Sequence, residues 1–327
     1  MAGKIAGRAP TRIMTAKLDI AFHAPAHSTT FTAGLRPFAE AVMRDAPGAV
    51  EIALHPDGAR GGLITTQLQL VESGGADAAF VIPGFTPERF PDNFVFGIPG
   101  LFRDIAEATL VFSRVVAAGL LRGYAGFHVI GAFCTEPFTL HARRKLTCLA
   151  DLQGMKLRAA NAADEIMLKQ LGADARIVPG DAIVAALESG TIDGTTLHIG
   201  PLYDLGVDRV TSFDYLLRLG CAPLAILMSR RSLERLPAAA QDAIRRHSGE
   251  AYAESYARRV AAHHESLLAK LRADPRRTRT EPSVEEAAAA QAAFQPVIDA
   301  WLARDARNPR ILAAVKEEVA KHRAAAR

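Results

Sequence analysis

The stretch from Leu146 to Pro201 limits the possible folds more than any other part of the chain. A short apolar run, Met155 to Ala160, meets Asn161, a good helix N-cap, with Asp164 and Glu165 in the first turn. Gly172 is placed to end that helix in a left-handed cap. A second run, Arg176 to Pro179, leads to a helix from Asp181 to Ser189, closed by Gly190, and Thr191-Ile192-Asp193 opens a third strand. Strand, helix, strand, helix, strand with short links predicts a parallel α/β sheet. Ligands of such sheets sit outside the carboxyl ends of the strands. Arg158 lies near that end of the first strand, where its guanidinium could take a carboxylate bidentately beside a helix N-terminus. A plain salt bridge at a strand edge is the alternative.

The same grammar occurs earlier. Leu18 to His23 reads as a strand, Ser28 or Thr29 as the cap of a helix to about Asp45, and Val50 to His55 as an alternating strand closed by Pro56-Asp57-Gly58. A helix from about Leu63 to Glu72 and a strand from Asp77 to Ile82 follow. Glu72-Ser73-Gly74-Gly75-Ala76-Asp77 matches Glu188-Ser189-Gly190-Thr191-Ile192-Asp193 at the same point of the frame. In both, a helix ends on Ser-Gly, and an Asp three residues later can satisfy backbone donors in the tight turn. Two lobes of one architecture are expected.

Between them, Pro83 to Phe102 reads as an ordered loop whose aromatics pack on a lobe surface, and Asp104 to Leu121 as a helix. His128 to Ala132 and Phe138 to Ala142 read as strands, the second crossing to the other lobe. A strand near Asp214 to Leu219 and a returning strand, Leu224 to Ser229, come next. From Pro237 a helical pattern with few breakers runs to Asp274, a length of roughly 55 Å, enough to lie across both lobes. Arg276 to Pro282 is a polar break before two last helices. The expected division is residues 18–135 plus 224–262 in the first lobe and 136–223 plus 263–327 in the second, with the ligand cleft between them.

With 327 residues, 49% hydrophobic and 23% charged, the chain has the composition of a soluble globular protein of two domains. A net charge of +4 and 6% aromatics offer no nucleic-acid stripe, and no apolar run approaches a membrane span. Residues 1–17 carry Lys4, Arg8, Arg12 and Lys17 without a hydrophobic run, so they read as a flexible basic extension rather than a secretory signal. Cys134, Cys148 and Cys221 form no CxxC. A Cys134–Cys148 link stays open, but buried free thiols are expected.

The string D-L-Q-G-M-K-L-R, then L-G-A, then A-L-E-S-G-T-I-D-G resembles the signature of the substrate-binding proteins of TRAP (tripartite ATP-independent periplasmic) transporters. G-A-D-A-A-F, the loop F-P-D-N-F-V-F-G-I-P-G-L-F and R-R-S-L-E-R-L-P agree with it, and the resemblance covers about residues 18 to 305. It implies an α/β, two-lobed periplasmic-binding-protein-like fold, each lobe a mostly parallel sheet flanked by helices, that closes on its ligand by hinge motion. It also implies a periplasmic location, cytoplasmic being the alternative, a monomer, and delivery to small and large integral membrane subunits. Arg158 corresponds to the family's clamp on the ligand carboxylate.

Three positions depart from the family pattern. Leu197 stands where D-G-x-x-N carries Asn, Phe138 where many members carry a second Arg, and Ile82 where a polar residue often ends a strand. Each apolar side chain buried on a ligand contributes roughly 1.5–3 kcal/mol, whereas an unpartnered hydroxyl facing such a wall costs about 1–3 kcal/mol. The expected ligand is therefore a carboxylate with an apolar body, such as an aromatic acid or a branched-chain oxo or hydroxy acid, rather than a sugar acid. His198 could replace the missing Asn, and affinity would then change between about pH 5 and 8. His23, Arg218 and Tyr215 are further candidate contacts, while His263-His264-Glu265 reads as a solvated face.

Enzyme readings rank below binding. The chain holds no GxSxG, SxxK, HExxH, P-loop or GxGxxG, and no cofactor or metal is expected. His23 and His27 are separated by Pro25, and His55 with Asp57 is a weak metal pair. An effector domain of a transcription regulator would need a helix-turn-helix, for which residues 1–17 are too short.

Overall fold

The computed structural model describes residues 15–325. The expected basic extension lies mostly outside the described residues, though its last two join the first strand. The first lobe begins with β1 (Ala16–Ala21), α1 (Arg36–Asp45), β2 (Val50–His55), α2 (Gln67–Ser73), β3 (Ala78–Val81), α3 (Ile105–Ala117) and β4 (Phe127–Cys134). The chain then crosses to β5 (Thr139–Ala142), β6 (Lys156–Ala159), α4 (Ala162–Gln170), β7 (Asp174–Ile177), α5 (Ile183–Glu188), β8 (Gly194–Leu197), α6 (Ile199–Asp204) and β9 (Phe213–Tyr215). It returns through β10 (Pro223–Ser229), α7 (Arg230–Glu234), α8 (Ala238–His247) and α9 (Glu250–Ala273), and ends with β11 (Thr278–Thr280), α10 (Val284–Arg304) and α11 (Asn308–Ala325).

The first sheet has the order β2-β1-β3-β10-β4 and the second β11-β9-β5-β8-β6-β7. β1 pairs in parallel with β2 and β3, and β6 with β7 and β8. Each crossing strand is inserted into the opposite lobe's sheet and runs antiparallel to both neighbours, β10 in the first and β5 in the second. Each sheet is mostly parallel, as expected, with four of five and five of six strands running the same way; the one reversed strand in each arrives from the other lobe and so enters from the opposite end.

The repeated hexapeptide does the same work twice. Gly74 and Gly190 close α2 and the turn after α5 at φ 78° and 73°. Asp77 then exchanges bonds with Asp19 of the neighbouring strand: its N–H donates to the Asp19 carbonyl at 3.0 Å, and its carboxylate accepts the Asp19 N–H at 2.8 Å. Asp193 treats Lys156 identically, at 2.7 and 3.1 Å. A side-chain oxygen thus extends each parallel ladder by one rung where the strand has not yet begun.

The expected single helix from Pro237 to Asp274 is two. Ser248-Gly249 breaks it, with Gly249 at φ 64° and ψ −129°, a conformation open to glycine. What remains as α9 spans about 36 Å at 1.5 Å per residue. Its first half packs Tyr252, Tyr256 and Val260 into the first lobe's core, and Leu271 joins the second lobe's cluster of Ile183, Leu187 and Leu202. The expectation that everything after residue 263 sides with the second lobe also needs correction. α10 touches α4, but α11 packs on α3, placing Ile311, Val315 and Val319 beside Phe96 and Phe112. The three cysteines are free, Cys134 and Cys221 buried. His55 pairs with Asp19 at 2.7 Å, and no cluster suited to a metal occurs among the described residues.

β11, hidden in the polar break, is held by charge. Arg277 donates through Nε to buried Asp214 on β9 at 2.8 Å and through Nη1 to the carbonyls of Thr211 and Asp208 at 2.8 and 2.9 Å. His141 Nδ1 lies 2.7 Å from the same carboxylate. Burial alone would raise the Asp214 carboxyl, but Arg277 and His141 outweigh it and hold it below the ordinary range. A depressed carboxyl stabilises the fold above its unfolded pKa and loses that stabilisation as pH falls through the folded value. Asp214→Ala leaves Arg277 and His141 buried without their anion, so chemical denaturation at neutral pH should show a loss of about 3–5 kcal/mol. The variant's stability should also fall less steeply with acid than that of the natural chain.

Candidate functional site

A cavity of about 460 Å³ lies between the lobes, of a size that encloses a small molecule. The first lobe contributes the loop after β1 (His23, Ser28), the end of β3 (Phe80, Ile82) and the turn and loop beyond it (Phe85, Phe90, Asn93, Phe94). The second contributes Arg158, Asn161, Asp164 and Met167 from β6 and the start of α4, with Thr196 on β8 and His198 just after it. The crossing segments add Glu136, Phe138 and Cys221, and α9 and α10 add Tyr256 and Phe294.

On β6, Leu157 and Ala159 face the core, so the strand's period of two turns Arg158 to the cavity side. Arg158 is 8% exposed. Its Nε donates to the Val178 carbonyl at 2.9 Å, which fixes the plane of the guanidinium. Neither amino end has a hydrogen bond or ion pair among the described residues. Burial lowers its pKa, and Asp164 nearby offsets this only in part; an arginine stays protonated throughout. Asp164, raised by burial, spends its carboxylate on the Ala160 N–H at 3.2 Å and the Asn161 amide at 3.3 Å instead of closing on Arg158. Asn161 in turn accepts the Asp164 N–H at 3.1 Å, the N-cap expected of it.

Five of the residues singled out in the sequence line this cavity: Arg158, His23, Ile82, Phe138 and His198. His23 stacks on Phe80, ring centroids 5.1 Å apart, and burial pulls its pKa down to about 4, so the ring is neutral near pH 7. Leu197, Tyr215 and Arg218 do not line it. Leu197 is corrected by alternation: Thr196 faces the cavity, and its neighbour is driven into the cluster of Ile183, Leu187 and Ile192. Tyr215 is fully buried in the main core, and Arg218 is exposed on the far side of the segment that turns Leu219 inwards.

Glu136, which the sequence does not single out, also lines the cavity. It is 8% exposed, with Oε2 2.9 Å from His198 Nδ1 and Oε1 3.2 Å from His264 Nδ1 on α9. The first approach is close but poorly aligned for a hydrogen bond. Burial would raise the Glu136 carboxyl, yet the two histidines outweigh it and hold it well below the usual range. His264 is thus no solvated-face residue, although His263 and Glu265 beside it are exposed. No local pattern marks Glu136, since its partners lie 62 and 128 residues away. Asn93, whose amide donates to Tyr124 Oη at 2.7 Å, is a second lining residue without a sequence signal.

A family model described as bacterial extracellular solute-binding protein, family 7, matches residues 21–305. The chain belongs to that family. A solute-binding protein of Verminephrobacter eiseniae is 26% identical over 180 residues, and the match spans 54% of this chain and 54% of that relative, about half the length of each. Among solved structures, a TRAP solute binding protein from a marine metagenome, specific for aromatic acid ligands and holding 3-hydroxybenzoate, has a TM-score of 0.85 at 22% identity, over 94% of this chain and 99% of its own. A TRAP solute binding protein of Rhodoferax ferrireducens T118 with copurified benzoate has a TM-score of 0.84 at 22% identity, over 96% and 100%. One of Chromohalobacter salexigens with bound D-glucuronate has a TM-score of 0.78 at 19% identity, over 92% and 99%. These likenesses establish the two-lobed fold. No helix among the described residues is long and apolar enough to cross a membrane.

Because Leu197 belongs to the core and not to the cavity, Leu197→Ala should cost about 2–5 kcal/mol in thermal or chemical denaturation. Its effect on the affinity of a bound ligand should stay within about twofold.

Proposed function

We propose that this family member captures a small carboxylate with an apolar body, an aromatic acid or a branched-chain oxo or hydroxy acid, and hands it to the membrane subunits of a TRAP transporter. The observation that carries this reading is the Arg158 guanidinium, held through Nε, with no bond from either amino end among the described residues, in the lining of a cavity walled by Ile82, Phe85, Phe90, Phe94, Phe138 and Phe294. A buried cation that cannot lose its proton and has no protein anion against its open ends is matched by a ligand anion. The aromatic walls match the remainder of the ligand. A sugar acid would press many hydroxyls on those walls, each at a cost of about 1–3 kcal/mol without a partner.

The structures bound to 3-hydroxybenzoate and benzoate support an aromatic acid; the one bound to glucuronate shows that the fold also serves sugar acids. What favours the former here is this chain's own lining. The proposal includes action as a monomeric periplasmic receptor, without a cofactor, nucleic-acid partner or catalytic turnover, with Arg158, Phe138, Ile82, His198 and His23 as contacts.

Isothermal titration against benzoate, 3-hydroxybenzoate, mandelate, 2-oxoisovalerate and D-glucuronate tests it. Tight binding of an aromatic or branched acid is expected, with Arg158→Ala weakening it by about 2–5 kcal/mol. Tight glucuronate binding with none of the others, or an Arg158→Ala variant of unchanged affinity, would reject the reading.

A further inference from the structure

We propose that Glu136 fixes the tautomer of His198, so that the cavity selects a carboxylate carrying a hydroxyl donor over its oxo or unsubstituted counterpart. The inference rests on the reading of Arg158 as the carboxylate clamp. It adds a second polar contact, His198, and a positioning residue, Glu136, that acts through it.

A carboxylate oxygen of Glu136 stands 2.9 Å from His198 Nδ1. The pair is not aligned as a hydrogen bond, yet an unprotonated Nδ1 would set two electron-rich atoms that close together, one of them on an ionised carboxylate. Nδ1 therefore carries the proton, and in the neutral ring Nε2 is left as an acceptor. The second oxygen of Glu136 is taken by His264, which keeps the carboxylate from turning away. Phe138 meets the imidazole edge-on, centroids 5.6 Å apart at 68°, and holds its plane. Nε2 has no protein partner among the described residues, and the ring lines the cavity. A ligand hydroxyl can donate to it; an oxo oxygen offers only another lone pair, and a bare C–H leaves it unmatched.

The spacing suits a small acid. Arg158 lies opposite Thr195 in the β6/β8 ladder, and His198 is three residues further along, about 10 Å at 3.3 Å per residue. Side chains from both positions can reach inward to the two ends of one aromatic or branched acid. The ligand carboxylate then sits at Arg158, and the uncharged hydroxyl end faces the ionised Glu136. The charged groups around His198 are Glu136 from the crossing segment, Asp204 on α6, and His264 on α9 acting through Glu136.

The test is calorimetry on the full chain at pH 8 with two matched pairs that differ only away from the carboxylate, 3-hydroxybenzoate against benzoate and 3-hydroxybenzoate against 3-formylbenzoate. The hydroxylated member should bind about three- to tenfold more tightly in each pair. His198→Ala should bring both ratios close to one, and Glu136→Gln should lower them at pH 8, since its amide can present N–H to Nδ1 and free the tautomer. His198→Phe, which keeps a ring against Phe138, repeats the measurement should the alanine variant lose its melting transition. Equal affinities within each pair for the natural chain, or ratios untouched by His198→Ala and His198→Phe, would overturn the inference while leaving the Arg158 clamp intact. Failure of the clamp itself has another signature: no member of either pair binds.

Discussion

The bond from Arg158 Nε to the Val178 carbonyl is the contact on which the cavity depends. A guanidinium is planar, so one bond to the fixed end sets the direction of the other two. Val178 follows β7, the neighbour of β6, and the two strands run parallel in register, Arg158 against Arg176. The orientation of the cation is thus a property of the sheet and does not wait for a ligand. Asp164 is close enough to moderate the charge, but its carboxylate is committed to the start of α4. The positive ends remain available because the nearest acid has other donors to satisfy.

Around that point the two lobes use one device twice. Asp77 and Asp193 each extend a parallel ladder through a side-chain oxygen, just after a helix closed on glycine. Two crossing segments then tie the lobes together, and α9 lies along both. These same crossings carry Glu136, Phe138 and Cys221 to the cavity wall. Residues that join the lobes are also residues that line the cavity, so the connection between the lobes and the cavity wall share the same backbone.

Much of this was readable in one dimension. The strand Val50–His55, the matched hexapeptides, the N-cap at Asn161 and the exit of Arg158 at a strand's carboxyl end are all local patterns, governed by periods of two or 3.6 residues and by turn chemistry. What escaped was non-local. β11 looked like a polar break because its strand character comes from pairing with β9 and from the buried Arg277–Asp214 pair. Gly249 gives no clear break signal, because a single glycine in a helical pattern is often tolerated; its amide is taken by the Ile130 carbonyl of β4, at 2.9 Å, instead of by the preceding turn.

Sequence alone determined the two-lobed α/β frame, the cation at its centre and the apolar character of several walls, because hydrophobic period, glycine caps and residue type are properties of neighbours along the chain. Tertiary structure decided which of two adjacent residues, Thr196 or Leu197, faces the cavity, and it alone brought Glu136, His198 and His264 together. The physical reason is that facing and charge pairing are settled when sheets and helices pack across the cleft, between residues that share no local pattern. A buried carboxylate acquires its partners only there.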